Sequence, residues 1–114
     1  MSDCIFCKMV NGEIQPDVVY EDDQVLAFRD LNPQAPTHVL VIPKRHLSTT
    51  NDFQPEDAAL AGRLILAAKK VAEIEGLDQR GYRMVLNCNA EAGQAVFHVH
   101  LHVLGGRAMK WPPG

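Results

Sequence analysis

The hydrophobic positions of this 114-residue chain predict one long helix in its middle. The stretch QPEDAALAGRLILAAKKVAEIEG, residues 54–76, repeats apolar residues at helical spacing. Pro55 suits the first turn, where Glu56 and Asp57 complement the positive end of the helix dipole, and Gly76 follows the last turn. The predicted apolar face of this helix consists of Leu60, Leu64, Ala67, Val71 and Ile74.

Shorter β-branched stretches on both sides of this helix predict five strands. VVYEDDQVLAFRD is typical of a hairpin with an acidic turn, and THVLVIP is a third strand that Pro43 ends. YRMVLN and FHVHLHVL follow the helix as two more strands, joined by the loop CNAEAGQA. A short N-terminal helix is predicted before them all, with Ser2 or Asp3 as N-cap and Gly12 at its end. This order predicts an α+β fold, an antiparallel sheet covered on one face.

Composition narrows the class of protein further. The length predicts a single domain over residues 1–114, and a net charge of −3 argues against broad affinity for nucleic acid or membranes. The polar N-terminus MSDCIFCKMV does not resemble a signal peptide, and no apolar run approaches a membrane span. Three cysteines, two of them in a Cys-x-x-Cys pair, are typical of a reducing compartment. We therefore expect a cytoplasmic protein.

Three of the five histidines fall at alternate positions of the last predicted strand. Because alternate residues of a strand share a face, His98, His100 and His102 are expected on one face, about 6.5–7 Å apart. The valines and leucine between them point the other way, beneath the helix. A solvated polar face is a weak explanation, since threonine, lysine or glutamate would serve it as well.

Metal binding and phosphate chemistry both explain this row of histidines. Imidazoles at positions i and i+2 can reach one zinc ion. The flanking glycines, in Gly93-Gln94 before the strand and Gly105-Gly106 after it, offer backbone amides to an anion. A neutral imidazole can also attack phosphorus while its neighbours set its tautomer and donate protons. The periodicity alone does not choose between the two.

The motif HVHLHVL resembles the His-φ-His-φ-His-φ-φ signature of the histidine triad (HIT) superfamily. The blocks YEDDQVLAFRDLNPQAPTHVLVIPKRH, GYRMVLN, AGQAVFHVHLHVLGGR and WPPG are similar to those of its Hint branch, the purine nucleoside phosphoramidases. The resemblance covers nearly the whole chain in order. It implies the HIT-like fold and a hydrolase that cleaves purine nucleoside phosphoramidates or acyl-adenylates to the nucleoside monophosphate.

The resemblance also implies a role for each histidine of the motif. The middle one, His100, is the expected nucleophile, which forms a nucleotidyl-histidine intermediate that water then hydrolyses. His102 is expected to contact the phosphate oxygens. His98 and His38 match the hydrogen-bonded partners that poise the nucleophile.

The substrate contacts follow from the same matching blocks. Asp30 corresponds to the residue that binds the ribose hydroxyls, and Asn87 to one that reaches the phosphate end of the site. Gly93, Gln94 and Val96 belong to the loop that presents amides to the α-phosphate. The base pocket is expected from Ile5, Phe6, Phe28, Leu31 and Leu40, and ordinary core packing is the alternative for each of them. One departure concerns Ala95, which stands where Hint proteins carry serine; the loss removes one hydrogen bond, with a typical net value of about 0.5–1.5 kcal/mol.

Cys4 and Cys7 are the second departure, because the best-known Hint proteins lack them. Thiolates at this spacing can hold one tetrahedral zinc from a single helical turn, although two half-buried apolar residues are the alternative. Other branches of the superfamily with this pair bind zinc through two cysteines and two histidines, which here correspond to His46 and His98. The resemblance thus implies a structural zinc that orients His98.

Two expectations concern partners. Hint proteins pair into a homodimer with one continuous sheet, and their C-terminal tail approaches the partner's site, so Trp111 is expected to contact substrate across that interface. A frayed terminus is the alternative for this tail. The competing function is that of a nucleotide-binding or scaffold protein whose hydrolysis is incidental. A further alternative is a zinc module in which the three histidines themselves hold the metal.

Overall fold

The computed structural model describes residues 3–114 and shows an α+β fold. The first helix, α1, spans Ile5–Val10, and the long helix, α2, spans Ala58–Ile74. The strands are β1 (Val18–Glu21), β2 (Val25–Arg29), β3 (Thr37–Pro43), β4 (Tyr82–Leu86) and β5 (Leu101–Gly105). They form one five-stranded sheet in the order β1-β2-β3-β5-β4, with every neighbouring pair antiparallel. The predicted fold class is confirmed.

The long helix covers one face of the sheet. Leu64, Ala67 and Val71 of α2 are buried against apolar side chains of β2, β3 and β5. The residues Val99, Leu101 and Val103, which alternate with the three histidines, belong to this core, as their alternation predicts. Ile74 does not, since it is 49% exposed at the last turn of α2. Among residues 3–114, neither helix is long and apolar enough to cross a membrane.

The opposite face of the sheet has a second apolar cluster, whereas the sequence analysis expected a sheet covered on one face only. Phe6 of α1 packs there against side chains of β2 and β3, namely Leu26, Phe28, Leu40 and Ile42. Strands β2 and β3 are therefore buried on both faces, which explains their continuous apolar runs VLAF and VLVI. Helix α1 thus becomes a second cover, and it also forms one wall of the pocket described below.

Three boundaries differ from those predicted. Helix α2 begins at Ala58, and Pro55–Asp57, which were expected in its first turn, form a separate 3₁₀ turn before it. The N-cap of α1 is Cys4, whose Sγ accepts a hydrogen bond from the Cys7 amide, instead of Asp3; Ser2 lies outside the described residues. The last strand begins at Leu101 and not at Phe97. His98 and His100 consequently precede the ladder, and only His102 is within it.

Close packing leaves no room for a side chain at Gly105 and Gly106. A Cβ atom on Gly105 would lie 2.7 Å from Cδ1 of Leu77, and one on Gly106 would lie 2.8 Å from Cβ of Pro36. Gly106 also has a φ of +92°, a conformation that glycine adopts without strain. Neither residue lines the pocket beside the histidines, so the structure does not place their amides at that pocket.

Candidate active site

A pocket of about 300 Å³ opens beside β2, between α1 and the histidines. Most of the residues expected at a nucleotide site line it, together with Met9 and Arg29, which the sequence analysis did not single out. Met9 could have been found from its position one turn after Phe6 on α1. The lining residues are Ile5, Phe6, Met9, Phe28, Arg29, Asp30, Leu31, Leu40, Asn87, Gly93, Ala95, Val96, His100 and His102.

The two ends of the pocket differ in polarity. Aromatic and aliphatic side chains form one end, where the ring centroids of Phe6 and Phe28 lie 5.4 Å apart. Leu31 is 96% exposed and stands at the rim. The other end contains the imidazoles of His100 and His102, whose centroids are 5.0 Å apart. An apolar slot that leads to a polar end suits a ligand with a flat base and a charged group.

The protonation pattern of His100 follows from its backbone contact. Its Nδ1 lies 2.8 Å from the carbonyl oxygen of His98. Because a carbonyl oxygen only accepts hydrogen bonds, Nδ1 carries the proton, and Nε2 of the neutral ring retains its lone pair. The ring is buried, and Phe6 contacts it edge-on at 5.3 Å between centroids. His100 therefore has the tautomer of a nucleophile or a base.

His102 is the end of a hydrogen-bonded chain that assigns it the opposite tautomer. The Gln34 amide donates to Nδ1 of His38 at 3.0 Å, so the neutral His38 ring carries its proton on Nε2. That Nε2 lies 2.9 Å from Nδ1 of His102, which must accept. His102 then holds its own proton on Nε2. His38 thus acts on His102, whereas the resemblance placed it among the partners that poise His100.

Burial governs the charge of these two rings. It lowers the pKa of His102 to about 4, with the neighbouring imidazoles of His100 and His38 adding to the effect. Burial also lowers the pKa of His38, although the carboxylate of Asp30 opposes the shift. Oδ2 of Asp30 lies 3.5 Å from Nε2 of His38. Near neutral pH both rings are therefore uncharged donors and acceptors.

The loop from Asn89 to Val96 forms the wall beside the polar end. The amides of Gly93 and Gln94 donate within the loop, to the carbonyl oxygens of Ala90 and Asn89 at 3.0 and 3.1 Å. The expectation that these two amides face a phosphate therefore does not fit the geometry. Gln94 is 6% exposed and is not among the residues that line the pocket.

Trp111 does not reach the pocket of its own chain. Its side chain is 81% exposed, and it is not a lining residue. Its expected contact with substrate across a dimer stays a prediction.

A cluster of Cys4, Cys7, His46 and His98 lies next to the pocket, and their ligand atoms are all within 4.8 Å of one another. Sγ of Cys4 lies 3.4 Å from Nδ1 of His98, and Sγ of Cys7 lies 3.3 Å from Nδ1 of His46. The two Nδ1 atoms are 3.1 Å apart. Zinc bonds of about 2.3 Å to sulfur and 2.0–2.1 Å to nitrogen require tetrahedron edges of roughly 3.3–3.8 Å. The cluster therefore has the size of a tetrahedral zinc site.

The orientation of His98 fits the same interpretation. Its Nε2 lies 2.8 Å from the carbonyl oxygen of Pro43 and so donates to it, which leaves the lone pair of Nδ1 directed into the cluster. Three neighbours, Cys4, Cys7 and His46, lie 3.1–3.6 Å from that one nitrogen. A single lone pair cannot serve three separate contacts, but one central cation satisfies all four groups. These residues could hold a metal ion.

A second group of possible ligands, Asp30, His38 and His102, is better explained by hydrogen bonds. The nitrogen of His102 that faces His38 already accepts a hydrogen bond from it. His100 belongs to neither group. A metal held by all three histidines of the motif is therefore not what this geometry offers, because His98 points to the cysteines and His102 to His38.

Comparisons with known proteins agree with this fold. The HIT domain family matches residues 11–109. The chain is 54% identical over 112 residues to an uncharacterised HIT-like protein of Synechocystis, covering 98% of this chain and 97% of that protein. It is 50% identical over 105 residues to the purine nucleoside phosphoramidase of Escherichia coli K12, covering 92% and 88% of the two chains.

A solved structure gives the same result. A HIT family hydrolase from Legionella pneumophila superposes with a TM-score of 0.96 at 54% identity, covering 98% of this chain and 100% of that one. A family match over most of the chain, relatives at half identity or more and the observed fold lead to one conclusion: this protein is a member of the HIT family.

Proposed function

We propose that this protein hydrolyses purine nucleoside phosphoramidates or acyl-adenylates to the nucleoside monophosphate through an intermediate on His100. The observation that carries this proposal is the pair of complementary tautomers in one pocket. His100 offers a lone pair on Nε2, and His102 beside it offers an N–H. The purine nucleoside phosphoramidase of Escherichia coli, at 50% identity, supports this substrate class.

The substrate would lie along the pocket with its base at the apolar end. Phe6, Phe28 and Leu40 enclose a flat ring, while the carboxylate of Asp30 accepts hydrogen bonds from ribose hydroxyls. Asn87 lies among the lining residues and can donate its amide to the phosphate. This pose brings the α-phosphorus to the two histidines.

The first chemical step transfers the nucleotidyl group to the enzyme. The Nε2 lone pair of His100 forms a bond to the α-phosphorus, and the bond from phosphorus to the leaving nitrogen or carboxylate oxygen breaks. His102 donates its Nε2–H to a phosphate oxygen. A leaving amine takes up a proton from solvent water at the mouth of the pocket, whereas a leaving carboxylate needs none. In the second step a water oxygen bonds to phosphorus, the bond from phosphorus to Nε2 of His100 breaks, and the water proton returns to solvent as the monophosphate leaves.

We also propose that Cys4, Cys7, His46 and His98 bind a structural zinc ion. Four protein ligands make a closed site, so the metal supplies no open position for substrate and its contribution is to folding. Two of the ligands are on or next to α1, the helix that also carries Phe6. The site would therefore tie one wall of the base pocket to the segment that carries the nucleophile. Thiolate ligands agree with the reducing cytoplasm that we propose for this single-domain protein.

A homodimer completes the proposal. Strand β4 is at the edge of the sheet, and its Met84 and Leu86 are each 42% exposed. An exposed apolar edge strand is suited to pairing with a second copy, which would continue the sheet. Such a partner would also give the exposed Trp111 a contact.

The test is to replace the proposed nucleophile. His100→Ala is expected to reduce hydrolysis of adenosine phosphoramidate by at least about 10³-fold while adenosine monophosphate still binds. Lys70→Ala, on the exposed side of α2, is the control and should retain full activity. Mass spectrometry of the wild type quenched during turnover should find a nucleotidyl adduct on His100. Full activity of His100→Ala would contradict the mechanism, and an inactive variant that still performs the cellular role would favour the scaffold function.

A further inference from the structure

The side chain of Gln94 is buried beneath the phosphate wall and makes three hydrogen bonds. Its Oε1 accepts from the Asn89 amide at 2.8 Å. Its Nε2 donates to the carbonyl oxygens of Ser48 at 2.8 Å and Val96 at 3.1 Å. The side chain is 6% exposed, so these bonds are shielded from water, and each one lost would leave a buried polar group unpaired.

These bonds close the loop that forms the wall. Gln94 and Asn89 are joined by two hydrogen bonds, because the backbone amide of Gln94 also donates to the backbone carbonyl of Asn89 at 3.1 Å. The pair encloses the 3₁₀ turn Ala90–Ala92, and Asn89 has a φ of 69°, the only positive φ among the non-glycine residues that the structure describes. This strained turn needs support from its neighbours. The Gln94 side chain supplies that support from inside the loop.

The bond to Ser48 attaches the wall to another part of the molecule. The neighbouring carbonyl, that of Leu47, accepts a hydrogen bond from the Val99 amide at 2.7 Å. Residues 94–100 have no ladder partner, because β5 begins at Leu101. Gln94 to Ser48, His98 to Pro43 and Val99 to Leu47 take the place of that ladder.

The position of the pocket amides depends on this attachment. Ala95 and Val96 follow Gln94 directly and line the pocket. The amides of Gly93 and Gln94 are occupied within the loop, whereas those of Ala95 and Val96 have no acceptor among residues 3–114 and can face an anion there.

We propose that Gln94 is a positioning residue for the α-phosphate. Its side chain does not touch the substrate; it holds the loop so that the amides of Ala95 and Val96 point at the phosphate oxygens next to His100. The inference rests on the proposed nucleotide-binding function. It differs from the role expected by resemblance, in which Gln94 itself contributes to the phosphate contact. It predicts a loss that is specific for the phosphate and leaves base and ribose binding intact.

The experiment compares adenosine monophosphate with adenosine as ligands of the full-length protein, by titration calorimetry. Gln94→Met has a side chain of similar length and removes all three hydrogen bonds. We expect it to weaken binding of the monophosphate by about 10- to 100-fold and that of adenosine by less than twofold. Gln94→Asn retains the amide but cannot span both sides of the loop, and it should give an intermediate loss.

A control separates this role from a general loss of stability. Val71→Ala opens a cavity in the core beneath α2 and should lower the melting temperature without changing the preference for the monophosphate over adenosine. An unchanged preference in a folded Gln94→Met or Gln94→Asn protein would overturn the role of Gln94 alone. A wild type that binds neither ligand would overturn the proposed function itself.

Discussion

Residues 101–105 and residues 94–100 belong to one continuous stretch, yet they are held in different ways. The first segment, β5, pairs with β3 on one side and β4 on the other, and it carries His102. The second segment carries His98 and His100 and has no ladder, so individual bonds to residues 43–48 hold it. The proposed phosphate-binding group thus sits on a strand that is paired on both sides, and the proposed nucleophile on a segment that individual hydrogen bonds hold.

This difference shows what each histidine requires. A side chain within a ladder takes its direction from the pleat, and His102 needs only His38 to set its tautomer. His100 precedes the ladder, and its proton is assigned by a backbone carbonyl of the same segment. The orientation of that carbonyl depends on where His98 is fixed, so the Cys/His cluster is an indirect support of His100.

The largest expected effect comes from removing this support. Cys4→Ser combined with Cys7→Ser should abolish binding of one zinc ion per chain. It should also lower the free energy of unfolding by about 4 kcal/mol when free zinc is at about 1,000 times its dissociation constant. Hydrogen exchange should become faster in residues 94–100 and in α1, and remain slow in β3 and β5. Metal analysis, urea unfolding and exchange mass spectrometry measure these changes.

Cys88→Ser is the matched control, because Cys88 is the third cysteine and lies outside the cluster. It should retain the zinc and the exchange pattern. Stoichiometric zinc in the double variant, or equal loosening of β5, would contradict the assignment of the metal and the contrast between the segments.

The second prediction concerns His102 of β5 and His38, its hydrogen-bond partner. His38→Ala removes the donor to Nδ1 of His102, so the ring is free to place its proton on the wrong nitrogen. We expect kcat to fall by about 10²-fold, with little change in the affinity for adenosine. Nitrogen NMR of His102 should show the Nε2–H tautomer in the wild type and a mixture in the variant. A pure Nε2–H tautomer in both proteins would contradict the proposed chain.

The fold class was accessible from sequence, because the hydrophobic period reports which side chains are buried. The residues that line the pocket were expected only from the resemblance of the motifs to the HIT superfamily. The alternation at residues 98–103 correctly placed Val99, Leu101 and Val103 in the core. It could not show where the ladder begins, since an extended segment alternates whether or not its backbone is paired. The buried side chain of Gln94 and the partnership of His38 with His102 depend on contacts between distant segments, and no local pattern encodes them.

The third prediction uses the titration of His102 in β5. Its pKa is about 4 in the folded protein, whereas an unfolded chain has the ordinary histidine value. The unfolded state therefore binds more protons between the two values, and stability falls as the pH drops from about 6.5 to 4. After allowance for solvent screening of this partly exposed ring, the loss is about 2 kcal/mol. Urea unfolding at pH 7 and pH 4.5 measures it.

His102→Asn should remove this part of the pH dependence. The variant has no titrating ring in β5, so its loss of stability over the same interval should be smaller than that of the wild type by about 2 kcal/mol. His38, whose pKa is also lowered by burial, accounts for part of the slope that remains. Identical slopes in the two proteins would mean that His102 is not shielded from water as the structure indicates.

The smallest expected effect concerns Ala95, which lies in the unpaired segment of residues 94–100. Ala95 lines the pocket beside His100, and a serine there would add one hydroxyl near the phosphate. A single added hydrogen bond has a net value of about 0.5–1.5 kcal/mol, so Ala95→Ser should change kcat for adenosine phosphoramidate by about tenfold at most. If Gln94 holds residues 94–100 in place, the serine hydroxyl lies within hydrogen-bond reach of the leaving group. The gain in kcat should then vanish when Ala95→Ser is combined with Gln94→Met. A gain of equal size in both backgrounds would show that this segment stays in place without Gln94.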